Sequence, residues 1–527
     1  VIEKLPQIWP ELLLFLTTCV VMLTGQWPSA PIRRLTPWLA AVGLIAAGGA
    51  SIGAPAGDGL FPGMMVYAKV LTAIVGLMML PLLAGTVDRE LEAQSARGVP
   101  FQPIRSNGAE FYAFFLFSLT GLMLVSSADD LIWLFLALEL TSLPTYIMVT
   151  ISTQTTRSQE AGIKYFFLGA LGAAIFLYGF ALLYGASGTT NIPEMAAYFR
   201  AEGLGPIGLL GVLVSLIGVS FKVAAVPMHF YTPDVYQGAA SPVSAMLAFV
   251  PKTAGFLAIF MVAGVAGWGE DQRLPAEVDA MLWIMAALTM TVGNVLALIQ
   301  SSVKRMMAYS SVAHSGYMLV GVLAGPGAEG SPFWRNGLAA VLFYLLCYGV
   351  MNLGVFAVLA SLERKGEEAD DIDDIRGLVK TQPVLGWTMV ICSLSLLGFP
   401  PLLGFIGKVG LFTSGVASGN IPLVIILGIN SAIAAFYYLR LVAAAYLEPA
   451  SDTGFRPSPY LSRQFAGLLS AGGVIALLFA GSGLIKAADN ASRIAPPDGV
   501  AVPAKHHDAG HTTPAEPAHG HASQPHG

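Results

Sequence analysis

The chain has 527 residues, of which 55% are hydrophobic and only 11% charged. An average soluble domain carries about a quarter charged residues, so a soluble enzyme is excluded and an integral membrane protein is indicated. The net charge of −5, with no strongly basic block, also argues against nucleic acid as a partner.

A spanning helix takes about 20 apolar residues. Fourteen apolar segments can be read, near 8–25, 36–53, 64–86, 109–127, 129–152, 161–185, 206–229, 241–265, 279–300, 304–324, 337–362, 384–414, 420–446 and 465–486. The fold class is an all-α polytopic membrane protein. The first apolar run begins the first span and shows no clean cleavage site, so no cleavable signal peptide is expected. The acidic linker at 363–383 is expected along the membrane surface. Cys19, Cys347 and Cys392 each lie inside an apolar run. An iron–sulfur cluster usually takes about four thiolates, so neither a cofactor, a metal nor a disulfide framework is expected in this chain.

Lys and Arg in the loops set orientation. One side collects fifteen basic residues, from Arg33 through Lys304 and Lys365 to Arg463, and the other seven, from Lys4 to Lys505. The first side should be cytoplasmic, which places both termini outside. Five lysines, Lys69, Lys164, Lys222, Lys252 and Lys408, fall inside apolar segments together with Glu139. Each such charge costs about 2.5–3.5 kcal/mol at a helix centre, so they must face water or one another. Lys69, near a segment start, fits snorkelling, in which its ammonium reaches the membrane interface.

Segment five reads DDLIWLFLALELTSLPTY. It carries Glu139 about 13 Å past Asp130, close to mid-membrane. Segment six holds Lys164 about one turn inside. In segment seven Lys222 precedes Pro227 by five residues. A proline removes one helical hydrogen bond and frees the carbonyl four residues earlier, here that of Val223. Such a carbonyl beside a buried lysine makes a water site, and broken helices at this depth must be buried or line a cavity. Segment eight contains Pro251–Lys252. Segment ten places His314 about 15 Å beyond Lys304, where it is either a packing residue or a proton relay. Segment twelve is broken by Pro400–Pro401, with Lys408 just past the break.

Two broken, lysine-bearing helices five segments apart predict an internal duplication. An odd five-helix repeat must be inverted relative to its copy, the pattern of secondary transporters and their relatives. The expected organisation is a three-helix segment (1–108), a first inverted repeat (109–265, helices four to eight), a second (266–446, helices nine to thirteen), a last helix (447–494) and a tail (495–527). That tail holds six of the eight histidines among Pro, Gly and Ala. Its composition favours a disordered, solvated tail over a metal-binding one. A sodium path wants clustered carboxylates and carbonyls. This one is mostly lysine, which can pass a proton when taken out of water, so the transported ion is a proton.

The runs WLFLALELTSLPTY, EAGIKYFFLGA, FKVAAVPMHFYTPDVYQGAASPVSAMLAFVPKTAGF, VKRMMAYSSVAHSGYML and GFPPLLGFIGKVGLF resemble the antiporter-like membrane subunits of bacterial proton-translocating NADH-quinone oxidoreductase, complex I. The resemblance runs from about 110 to 445. It is strongest to the subunit N type, because the subunit M type carries a glutamate where this chain has Lys408, and the subunit L type continues into a long lateral helix. It implies that Glu139 and Lys222 form a coupling ion pair and that Lys164 flanks it as a modulator. Lys252 would be the central relay, His314 a bridge between half-channels and Lys408 the terminal lysine. It also implies other membrane-arm subunits as partners in the bacterial inner membrane, with quinone and NADH acting through other subunits of the complex. Two alternatives stay open: a subunit of a multisubunit cation/proton antiporter, and buried charges that merely hold helices together.

Overall fold

The computed structural model describes residues 4–268, 273–328, 331–364, 366–450 and 454–494. Lys365 and Lys505 of the orientation tally, and the histidine-rich tail from Ala495, lie outside the described residues. All fourteen apolar segments are helical. Eleven are single helices long and apolar enough to span a membrane. Segment ten, Val303–Ala324, is continuous but carries Lys304, Arg305 and His314. Segments seven and twelve are broken, into Pro206–Ser220 and Thr232–Gly238, and into Pro383–Leu397 and Leu403–Ala417.

The breaks fall where the prolines predict. In segment seven, residues 221–231 form successive turns around Pro227. In segment twelve, the first half ends at Gly398, whose φ of 86° lies in the left-handed region that glycine enters without a Cβ clash. Pro251 in segment eight and Pro144 in segment five leave their helices continuous.

Segments eight (Ser241–Ala266) and eleven (Gly337–Ala360) are buried along their spanning stretch, whereas segments one, two, six and fourteen bury only about a third of theirs. A helix apolar all round belongs in the centre of a bundle, and these two form it. Lipid is as apolar as leucine, so helices associate through close packing rather than apolar burial. Segments six and seven show this. A Cβ on Gly218 would sit 2.3 Å from the backbone nitrogen of Phe176, and one on Gly179 would sit 2.5 Å from that of Ser215.

Loop contacts sort the chain into two faces. On one, Lys4 pairs with Asp129, Gln7 bonds Asp58 and Asn336 bonds Asp489 and Ser492. This terminal face therefore holds both described ends, as an even number of crossings requires. On the opposite face Arg33 pairs with Glu92 and Arg89 with Glu363. There strands Leu362–Arg364, Glu367–Glu368 and Arg456–Pro457 form a small antiparallel sheet. The 363–383 linker is thus partly folded into the protein instead of lying flat on the surface. Segment seven leaves the terminal face and segment twelve returns to it, so the broken helices cross in opposite directions.

Candidate functional site

Segment five starts with Asp130, whose side chain accepts from the backbone N–H of Ile132 and Trp133 and fixes the first turn. Glu139 lies two turns further on. Its Oε1 is 3.0 Å from Lys222 Nζ, which also donates to Ser142 Oγ at 2.7 Å. Lys222 sits just past the end of the first half of segment seven and is 4% exposed. The break that carries it is packed by stacked rings: Tyr231 lies 4.4 Å from Phe221 and 5.1 Å from Tyr165, and its hydroxyl donates to the Phe221 carbonyl.

The freed carbonyl of Val223 is met by a side chain of segment ten. Ser315 Oγ of segment ten donates to it, and Lys252 Nζ donates to the same Ser315 Oγ at 2.8 Å and to the Ser311 carbonyl. Lys252 thus reaches, through one hydroxyl, the backbone carbonyl that follows Lys222 in the chain, while the Lys222 ammonium itself bonds Glu139 and Ser142. Lys222 and Lys252 also line a common cavity with Tyr165, Tyr231, Tyr236 and Ser311, with room for about one water.

Beyond Lys252 the path is aromatic. Lys252 Nζ lies 4.9 Å from the Tyr348 ring centre, and that ring is 5.0 Å from His314. Both His314 nitrogens are bonded, Nδ1 to the Tyr344 hydroxyl at 2.8 Å and Nε2 to the Tyr438 hydroxyl at 2.9 Å. A neutral imidazole donates at one nitrogen and accepts at the other, so this ring can take a proton on one side and give one on the other. Tyr317 stands 5.4 Å from His314 and 5.1 Å from Lys408 Nζ. Lys408 folds back over the Pro400–Pro401 break and donates to the Leu397 carbonyl at 2.8 Å. That places a cation at the carbonyl end of a half-helix, the favourable end of its dipole.

Glu139, Lys222, Lys252, His314 and Lys408 thus form one row. Lys164 stands apart, bonded to Glu160 at 2.7 Å and Asp234 at 2.8 Å, with its side chain 42% exposed. Lys69 corrects the snorkelling expectation. It is fully buried, and its Nζ pairs with Glu11 at 2.8 Å. Glu11 belongs to segment one, inside the apolar run 8–25, and was not among the buried charges singled out from the sequence. Lys304, assigned to a loop from sequence, is buried as well, 3.1 Å from Glu368. Burial alone would raise the Glu368 carboxyl, but Lys304, Arg463 and the Ser241 backbone N–H hold it down to about 2.

Reasoning from sequence also missed the neutral groups between the charges: Ser311, Ser315, Tyr344, Tyr348 and Tyr438. Ser311 and Ser315 are four residues apart, on one helical face, and that spacing was a usable signal. Tyr344 and Tyr348 on segment eleven share that spacing, whereas Tyr438 on segment thirteen gave no such signal. Among the described residues no group of three or more His, Cys, Asp or Glu side chains is placed to hold a metal.

Residues 128–434 match the family model described as NADH:quinone oxidoreductase/Mrp antiporter, TM. NADH-quinone oxidoreductase subunit N of Trichlorobacter lovleyi is 35% identical over 454 residues, 84% of this chain and 88% of that protein. The protein of the same name from Rhodospirillum rubrum is 36% identical, again over 84% and 88%. A chain of respiratory complex I from Thermus thermophilus superposes with a TM-score of 0.73 at 30% identity, covering 90% of this chain and 98% of that one. A chain of the Mrp complex from Dietzia shares the fold at a TM-score of 0.75 and 19% identity.

Proposed function

This chain belongs to the NADH:quinone oxidoreductase/Mrp antiporter family as a subunit of the N type, and on that premise we propose a residue-level route for its protons. It is a proton-translocating membrane-arm subunit of NADH-quinone oxidoreductase, multi-pass in the bacterial inner membrane, and works beside the other subunits of that arm. The alternative of a cation/proton antiporter subunit shares the family model and the fold, whereas identity to subunit N over most of the chain favours complex I.

In the proposed route the Glu139–Lys222 ion pair is the switch. When the pair is closed, the Glu139 carboxylate holds the proton on Lys222. When it opens, the proton moves through the shared cavity to Lys252, then by way of His314 and its two tyrosines to Lys408, and leaves at the terminal face. Lys164, held by Glu160 and Asp234, tunes the opposite rim instead of touching the switch. Electron transfer takes place in other subunits, and this chain is proposed to carry no cofactor. Segments four to eight and nine to thirteen are proposed as the two inverted repeats, with the terminal face outside the cell membrane. A reporter fused after Gly527 that is active only in the cytoplasm would reverse that orientation.

The observation that carries the route is the cavity at the broken helix that Lys222 and Lys252 line together. The test is Lys252→Met in the assembled complex in sealed vesicles. Pumping and quinone reductase turnover should fall together with all subunits retained. Undiminished pumping would take Lys252 out of the path.

A further inference from the structure

The buried charges of the N-terminal three-helix segment lie outside the row from Glu139 to Lys408. They also precede the stretch that matches the family model, which begins at residue 128. Glu11 is 2% exposed and Lys69 is fully buried. Lys69 Nζ is 2.8 Å from Oε1 and 3.0 Å from Oε2 of Glu11, and it also donates to the Gln7 carbonyl at 2.6 Å. An ionisable pair at this depth is costly and marks a functional site by default.

A second, independent feature leads from the pair toward water. Ser127 Oγ donates to Glu11 Oε1 at 3.0 Å. Ser127 also lines a separate cavity, with Ser126, Gly57, Gly59 and Met261, that has room for about one water. Two polar pairs stand at the rim on the terminal face: Lys4 with Asp129, and Gln7 with the exposed Asp58. Solvent, rim, cavity, hydroxyl and carboxylate thus follow one another. Met261 lies nine residues beyond Lys252 on segment eight, about 13 Å along its axis. The cavity therefore sits terminal-ward of the relay and beside its central helix.

We propose that Glu11 and Lys69 form a second proton-binding site, in exchange with the aqueous phase at the terminal face. A hydronium ion reaching the cavity gives its proton to Glu11. An O–H bond forms at the carboxylate, water is released, and the pair passes from net neutral to a single positive charge. Release reverses the step, with Ser127 as the bridge. This site does not depend on the route through Lys222 and Lys252.

The test is infrared difference spectroscopy of the assembled complex in membranes during a pH titration, on wild type, Glu11→Gln and Lys69→Met. A titrating buried-carboxyl band should be present in wild type, lost in Glu11→Gln and displaced along the pH axis in Lys69→Met. The double variant Glu11→Gln/Lys69→Met leaves no unpaired charge. It carries the same loss of band if Glu11→Gln alone fails to assemble. A wild-type spectrum without a band that depends on Glu11 would overturn the proposal. So would a band in Lys69→Met that titrates as in wild type. Either result would leave the pair a structural tie between segments one and three.

Discussion

Opening the Glu139–Lys222 pair must supply enough energy to move a proton against the membrane potential. At the observed separation of 3.0 Å and an effective dielectric constant of 20, the attraction is about 5.5 kcal/mol. Doubling the separation leaves about 2.8 kcal/mol. The difference slightly exceeds the roughly 2.3 kcal/mol needed to move one charge across 100 mV. A shift of about 3 Å in one side chain is therefore sufficient. Glu139→Gln and Lys222→Ala each abolish this term, so each should slow pumping against 100 mV by up to about fifty-fold. Reductase turnover should fall in parallel, because a coupled machine stalls with its proton step. Each single variant also leaves an uncompensated charge, costing about 3–5 kcal/mol. The double variant removes that penalty, so it should be less impaired than the two single effects combined predict. The assay is dye-reported acidification and quinone reduction in sealed inverted vesicles, with subunit retention followed on native gels. Arg376→Ala serves as the control. It loses only half-exposed ion pairs to Asp373 and Glu448, which are worth little. Strict additivity in the double variant would refute the coupled-switch reasoning, as would a control effect as large as that of Lys222→Ala.

Lys408→Glu should pump better than Lys408→Ala, because the position beside the Pro400–Pro401 break needs a titratable group; equal pumping by the two would remove Lys408 from the path. Deletion after Ala495 should leave subunit assembly and pumping intact, as judged by native gels and the vesicle assay, since the tail's polar composition offers little to bury. Glu368 gives a pH signature. Its folded value of about 2 lies below the ordinary 4.5, so its contribution is complete above about 4.5 and is lost as pH falls toward 2. Glu368→Gln should therefore cost about 3 kcal/mol near neutrality and lose less stability than wild type between pH 4.5 and 2. Parallel thermal-unfolding midpoints across that window would contradict it.

Length, composition and hydropathy determined the fold class and all fourteen segments, because lipid demands about 20 apolar residues per helix wherever the partners lie. Pro227 and Pro400–Pro401 also marked both breaks, since loss of a backbone donor is a local effect. The charged members of the row were legible too, because an ionisable residue in an apolar run stands out along the chain. Pairing was not legible. Lys69 read as a snorkeller because its partner, Glu11, lies 58 residues earlier, and Lys164 read as a neighbour of the switch although Glu160 and Asp234 hold it. The partners of the neutral links were hidden for the same reason. Ser315 meets the Val223 carbonyl 92 residues away, and Tyr438 meets His314 124 residues away. Serine and tyrosine are ordinary in an apolar helix. Only the packing of segments seven, eight, ten, eleven and thirteen around one another decides which hydroxyls stand between the charges, because hydrogen bonding acts over about 3 Å of space and separation along the chain does not report that distance.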